Sequence, residues 1–152
     1  MQKHDFYQSL VKQTESLIAG ESNVIANMAN ISALLFTSLE DVNWAGFYFI
    51  DSPSELVLGP FQGNPACIRI PVGKGVCGTA AATLQTQLIE DVHAFDGHIA
   101  CDAASNSEVV VPIMKHGKIF AVLDIDSPII SRFDTDDKAG LEALVKCFEA
   151  SL

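Results

Sequence analysis

Apolar residues recur at helical spacing in three stretches of the chain. Phe6, Leu10, Val11, Leu17 and Ile18 make the first, and Gly20 stops it. Ser22 is placed to cap a second helix whose stripe is Ile25, Met28, Ile31 or Ser32, and Leu35. Asp134 is placed to cap a last helix with Leu141, Leu144, Val145 and Phe148 on one face. Between them the period changes. Residues 42–50 (VNWAGFYFI) are apolar on both parities and rich in aromatic and β-branched types, which predicts a central strand. Asp51-Ser52-Pro53-Ser54 is a turn composition, so residues 55–58 read as the antiparallel partner. Residues 67–71 form another short strand candidate, and Gly73-Lys74-Gly75 leads into a small alanine-rich helix over 76–84. Residues 90–106 show no period and read as a long loop, the kind of segment that carries function.

The last hairpin is the most informative piece. Residues 109–114 and 118–126 flank Lys115-His116-Gly117, which fits a three-residue loop ending in a left-handed glycine. That register sets Met114 against Lys118, Pro112 against Phe120, Val110 against Val122 and Glu108 against Asp124. Alternation then lines one face with Val109, Val111, Ile113, Ile119, Ala121, Leu123 and Ile125, where the helices should pack. The other face carries Val110, Pro112, Phe120 and Val122, and ends in Glu108, Asp124 and Asp126. A two-residue loop would drive Glu108 into the apolar face, a poor place for an unpaired acid. Three neighbouring acids are either strand ends emerging into water or an enclosed cluster. Enclosure would raise at least one pKa and offer both a proton donor and an ammonium site. Short turns between strands and long amphipathic helices predict an α+β layered domain with an antiparallel sheet.

Composition narrows the function. The 152 residues are 49% hydrophobic with mean hydropathy +0.27, enough to bury a core as one domain. Nine basic against 19 acidic residues give a net charge of −10 and a pI near 4.6. That field repels nucleic acid and anionic membrane surfaces, so neither is expected as a partner. Apolar runs fall short of a membrane span, and residues 1–10 lack the apolar core of a secretory signal, so a cytoplasmic location is expected.

Four cysteines in such a chain point to buried thiols, a metal site or redox chemistry rather than to a permanent disulfide framework. No CxxC pair occurs and no histidine shows ligand spacing, so no metal is expected. Cys147 sits beside the stripe of the last helix and reads as a buried core thiol. Cys77 opens the small helix, where free backbone N–H groups lower a thiol pKa, or it simply packs beside Ala80 and Ala81. Cys67 has no local activating signal. Cys101 lies in the polar stretch Gly97-His98-Ile99-Ala100-Cys101-Asp102, where solvent access is expected, so it reads as a reactive thiol or else as an incidental surface one.

Around these cysteines stand NWAGFY (43–48), GPFQG (59–63), GKGVCG (73–78), HIACD (98–102), SEVVVP (107–112) and LDIDSP (123–128). Together with the spacing of Cys67, Cys77 and Cys101, these blocks resemble the free methionine-R-sulfoxide reductases, which are single GAF domains. The resemblance runs from about Trp44 to the last helix. It implies a GAF-like sheet with the N- and C-terminal helices packed on one face and a ligand pocket on the other, formed by residues 1–152 as one domain. Cys101 matches the catalytic cysteine, Cys67 the principal resolving cysteine, and Cys77 an auxiliary resolver. Trp44 and Tyr48 match the aromatic side of a small closed pocket. Glu108, Asp124 and Asp126 match carboxylates that bind the substrate ammonium and polarise the sulfoxide oxygen, with Glu108 and Asp126 placed in the chemistry itself.

The resemblance further implies that the substrate is free methionine-R-sulfoxide, that thioredoxin is the reductant, that no metal or organic cofactor is needed, and that the chain is a homodimer. Because the acids repel the substrate carboxylate, backbone N–H groups of residues 97–102 are expected to hold that end. Two other classes compete: a GAF-type small-molecule sensor without chemistry, and a thiol redox switch that responds to peroxide alone.

Overall fold

Helix α1 (Lys3–Ile18) buries Tyr7, Leu10, Thr14 and Ile18, one stripe at helical spacing. Leu17, expected on that stripe, is 43% exposed. Thr14 takes an inward position because its hydroxyl donates to the Leu10 carbonyl at 2.9 Å, leaving no buried polar group unpaired. In α2 (Val24–Ser38) the cap is Asn23 rather than Ser22, its side chain accepting from the Ala26 N–H at 2.9 Å. Ile25 faces outward at 56% exposure, and Asn27 turns inward with its amide donating to the Glu21 carbonyl at 3.0 Å. The last helix, α4 (Thr135–Glu149), has the expected Asp134 cap, completed into a capping box by Asp137, and buries the four expected apolar residues.

The structure, a computed structural model, describes residues 1–99, 101 and 104–152. Its strands are β1 (Trp44–Ser52), β2 (Glu55–Gly63), β3 (Arg69–Pro71), β4 (Gln87–Ile89), β5 (Ser107–Lys115) and β6 (Lys118–Ser127). They form an antiparallel sheet in the order β3-β2-β1-β6-β5-β4. Strand β1 is central, as its composition predicts. Ala45 and Phe47 point to the core under the long helices, and Trp44 and Tyr48 to a second cluster on the opposite face. Strand β2 runs five residues beyond the predicted 58. Strand β4 was not expected: three residues are too few for a period, and its identity comes from pairing with β5. The segment expected as a featureless loop also holds a 3-10 turn, Val92–Ala94.

The β5–β6 hairpin differs from the expected register. It turns on two residues, His116 and Gly117, both at positive φ (52° and 75°), with Lys115 opposite Lys118 and Met114 opposite Ile119. Glu108 is nevertheless kept off the helix face, because a bulge intervenes. Ile113 pairs with Ala121, leaving Phe120 as the extra residue. The bulge restores parity beyond it. Val109, Val111, Ile113, Ala121, Leu123 and Ile125 all join the helix-side core as expected. Phe120 and Ile119 exchange sides, Phe120 packing toward the helices and Ile119 toward the second cluster. The partners move too: Glu108 sits opposite Asp126, Val110 opposite Asp124 and Pro112 opposite Val122.

On that second face lies α3 (Gly75–Thr83), packed through Val76, Cys77, Ala80 and Ala81 against Val110 and Val122. On the first face α1 and α4 are tied together at their starts. Lys3 Nζ bridges Asp134 (2.9 Å) and Asp137 (2.7 Å), and the Tyr7 hydroxyl donates to the buried Asp137 at 2.7 Å. No described helix is long and apolar enough to cross a membrane.

Candidate active site

Trp44 and Tyr48 are four residues apart on one strand, so both rings stand on the α3 side of the sheet. They stack with centroids 6.0 Å apart, and Phe61 stacks on Trp44 at 5.1 Å. Each ring is anchored at its polar end. Trp44 Nε1 donates to the Asn64 carbonyl at 3.1 Å and the Tyr48 hydroxyl donates to the Cys67 carbonyl at 2.9 Å. The two bonds fasten the segment carrying Cys67 to the sheet. Trp44 and Tyr48 wall a cavity of about 40 Å³ whose other sides include Cys77, His98, Cys101 and the three acids Glu108, Asp124 and Asp126. Gly75, at φ +64°, lets α3 begin beside it, since a Cβ there would lie 3.2 Å from the Ile99 side chain.

Glu108 and Asp124 are enclosed rather than emerging into water, and Asp126 beside them is half-buried. Glu108 is 6% and Asp124 5% exposed. A carboxylate oxygen of each and the Cys77 sulfur lie within 4.8 Å of one another. Burial, followed by the negative charges of Asp124 and Asp126, pushes the Glu108 carboxyl well above the usual carboxylate range. Burial also raises Asp124, but Glu108, Cys77 and His98 beside it pull the other way. Both carboxyls are thus held above their ordinary values, and the pair favours retaining a shared proton. One Asp124 oxygen, Oδ1, is buried without a hydrogen-bond partner among the described residues, an arrangement that favours a cationic guest. Cys77, Glu108 and Asp124 have the donor types of a cation site. A thiol and a carboxyl that both hold their protons make it a reluctant metal cage.

Cys67 and Cys101, 34 residues apart, are joined by a disulfide with Cα atoms 5.4 Å apart. Cys77 does begin α3, yet its thiol is not activated. Burial first, then Asp124 and the other acids, push it well above the ordinary thiol value, opposite to the helix-terminus expectation. It packs in one buried cluster with Ala80 and Ala81. Cys147 is free and only half-buried, packed against the edge of the helix-side core rather than within it. Ala100 and Asp102, part of the stretch expected to hold the substrate carboxylate, lie outside the described residues.

The lining also includes side chains to which the sequence pattern assigns no role, among them His98, Ser105 and Ile70. Ser105 is held by the Asn43 amide, which donates to its hydroxyl at 3.3 Å. His98 stood inside a recognised block, and its signal was charge. No other residue of residues 97–107 is a histidine, lysine or arginine.

The GAF domain family matches residues 9–152 of the chain. The chain is 56% identical over 152 residues to the free methionine-R-sulfoxide reductase of Escherichia coli, covering 100% of this chain and 92% of that one. Among solved structures, the fRMsr of Staphylococcus aureus in complex with substrate superposes with a TM-score of 0.91 at 57% identity, over 96% of this chain and 95% of that one. The free methionine-R-sulfoxide reductase of Neisseria meningitidis in complex with its substrate gives 0.95 at 43% identity, over 99% and 90%. With this identity over its whole length and this fold, the chain belongs to the free methionine-R-sulfoxide reductases of the GAF family.

Proposed function

We propose that the protein reduces free L-methionine-(R)-S-oxide to L-methionine, with Cys101 as nucleophile and Cys67 as resolving thiol. The observation that carries this reading is the meeting of a Cys67–Cys101 bond, two aromatic walls and an enclosed acid cluster at one cavity. In the reduced protein the Cys101 thiolate attacks the sulfoxide sulfur. Glu108, holding the proton it shares with Asp124, protonates the sulfoxide oxygen, an acid contribution of roughly 10²- to 10⁴-fold. The oxygen passes to the Cys101 sulfur, leaving a sulfenic acid and methionine: substrate sulfur is reduced by two electrons and cysteine sulfur oxidised by two. The Cys67 thiol then displaces hydroxide, released as water, and the disulfide forms. The dithiol of thioredoxin restores both thiols by exchange and becomes oxidised in turn.

The substrate ammonium is received by Asp124, through its unpartnered Oδ1, and by Asp126. Trp44 and Tyr48 receive the methyl group and side chain. Cys77, deep and protonated, stands in reserve as auxiliary resolver. The chain works as a single domain over 1–152, as a cytoplasmic homodimer, in keeping with the resemblance.

The test is NADPH consumption with thioredoxin and its reductase, offering free methionine-R-sulfoxide, the S epimer and a peptide-bound sulfoxide separately. Turnover of the free R epimer alone, lost in Cys101→Ser, is expected. Folded, reduced protein that turns over no sulfoxide would return the chain to the sensor class.

A further inference from the structure

The Cys67–Cys101 bond has an inner and an outer sulfur. Cys101 lines the cavity with the acid cluster, whereas Cys67 is half-buried and does not stand on that wall. The segment carrying Cys67 is held at three carbonyls. That of Asn64 accepts from Trp44 Nε1 at 3.1 Å, that of Cys67 from the Tyr48 hydroxyl at 2.9 Å, and that of Ile68 from the Leu58 N–H at 2.9 Å. With its backbone fixed in this way, Ile68 leaves its side chain in water. It is 66% exposed, more than any other described large apolar residue except Met1. Charge is missing here too. Residues 56–68 contain no acid or base in a chain of net charge −10, and Arg69, the next residue, is engaged by Asp51 and Glu55.

We propose that the segment from Asn64 to Ile68 is the docking surface for the protein that reduces the disulfide, with Ile68 as its apolar anchor and Cys67 as the sulfur attacked. The inference rests on the reading above that thioredoxin recycles the enzyme, and it fixes where that partner sits. A protein that reaches a sulfur must cover the surface around it. Transient redox complexes bury less than about 1,200 Å² in total, or roughly 600 Å² a side, a disc of about 14 Å radius. Ile68, whose Cα lies about 3.8 Å from that of Cys67, falls inside such a disc. The partner that fits is a dithiol protein whose rim around the reactive thiol is uncharged and apolar. Elsewhere the acidic surface repels an acidic partner, and here it meets no charge. Covering Ile68 buries apolar area on a backbone that is already ordered. In the exchange the partner thiolate attacks Cys67 Sγ, the S–S bond breaks, and Cys101 leaves as the thiolate that attacks the next substrate. The partner's second thiolate then displaces Cys67, which leaves with the electron pair and takes up a proton. Two electrons have passed to the protein, and the partner is left as a disulfide.

The experiment follows reduction of the preformed disulfide with no sulfoxide present, by thioredoxin kept reduced with its reductase and NADPH, and separately by dithiothreitol. Wild type, Ile68→Ala and Ile68→Glu are compared. In Ile68→Ala the second-order rate constant with thioredoxin should fall roughly five- to thirty-fold, and it should fall further in Ile68→Glu, which places a charge in the disc. Reduction by dithiothreitol, which needs no apolar rim, should be unchanged. A thioredoxin whose second cysteine is serine should be captured as a mixed disulfide on Cys67, located by peptide mass mapping. Equal losses with both reductants, or no loss with thioredoxin, would overturn the inference, as would capture on Cys101. So would an Ile68→Glu variant that sediments as a smaller species than wild type, because a second copy of the chain would then cover that face. A wild-type disulfide that dithiothreitol reduces and thioredoxin does not would overturn it too, while sulfoxide turnover driven by dithiothreitol keeps the reductase reading. The expected pattern in a protein that turns over no sulfoxide would sink that reading alone.

Discussion

Replacing Glu108 by glutamine should make the protein more stable and less active, and the gain in stability should grow with pH. Glu108 holds its proton well above the ordinary value because it is buried beside Asp124 and Asp126. An unfolded chain releases that proton at a pH of about 4.3. Above that pH, and until the folded value is reached, the native state binds one proton more than the unfolded state. Stability therefore falls as pH rises, by up to about 1.4 kcal/mol per pH unit for this group. Glutamine keeps the volume and the neutral polar character and has no proton to lose. The gap between variant and wild type should open above about pH 4.3 by up to that slope, or roughly 3–6 °C of Tm per pH unit for a chain of this size. The titrations of His98, with the opposite sign below its ordinary 6.5, and of Asp134, whose contribution is complete above its ordinary 3.8, are common to both proteins and cancel in the difference. Asp124 interacts directly with Glu108, so any change in its titration is part of the gap that is read. Thermal melts of the disulfide form from pH 4 to 8 read the gap directly. Turnover should fall by roughly 10²- to 10⁴-fold at the same time, because the donor is gone. Melting curves that run parallel across this range would show that Glu108 holds no extra proton, and the acid assigned to it in the reaction would fall as well.

Gly140→Ala should lose about 1–3 kcal/mol in urea unfolding, since its Cβ would stand 2.1 Å from the Tyr7 ring at the α1–α4 contact. Asp134→Ala removes the α4 capping box and should lower stability by about 1 kcal/mol, with the loss largely absent in Asp134→Ser. His116→Gly should stabilise by a few tenths to about 1 kcal/mol, because the turn holds His116 at φ 52° and glycine takes that conformation without strain. Reducing the Cys67–Cys101 bond reopens a 34-residue span and should cost about 3–4 kcal/mol, or roughly 6–16 °C in a melt with and without dithiothreitol.

Long, periodic elements could be read from the chain alone. The stripe of α4 and the two-sided β1 sit where their patterns put them, because burial follows spacing when an element spans several turns or pleats. Short elements could not: β4 has three residues and exists through its partner β5. The β5–β6 hairpin shows how a wrong register can leave the right faces. Keeping Glu108 off the apolar helix face fixes only parity. A two-residue turn with one bulge satisfies parity as well as a three-residue loop does, so the acids fell on the correct side with different partners. For the site, the acid cluster followed from alternation, whereas the state of Cys77 did not. Its position at a helix start suggested activation, and only the three-dimensional neighbours, all acidic or apolar, reverse the sign.

The seam between α1 and α4 bears on how the chain is born. Tyr7 finds its partner Asp137 130 residues later in the sequence. At roughly 5–20 residues per second, the first helix emerges from the ribosome about 7–26 s before the surface that covers it exists. During that interval the inward stripe of α1, Leu10 included, has no α4 to rest on. Strand β6, at the centre of the sheet, must also await its turn, so β1 spends much of the same period with one edge open. The α1–α4 seam and the β1–β6 pairing thus close only after the second half of the chain has been made, so these surfaces are open to other partners on the nascent chain and not on the finished protein.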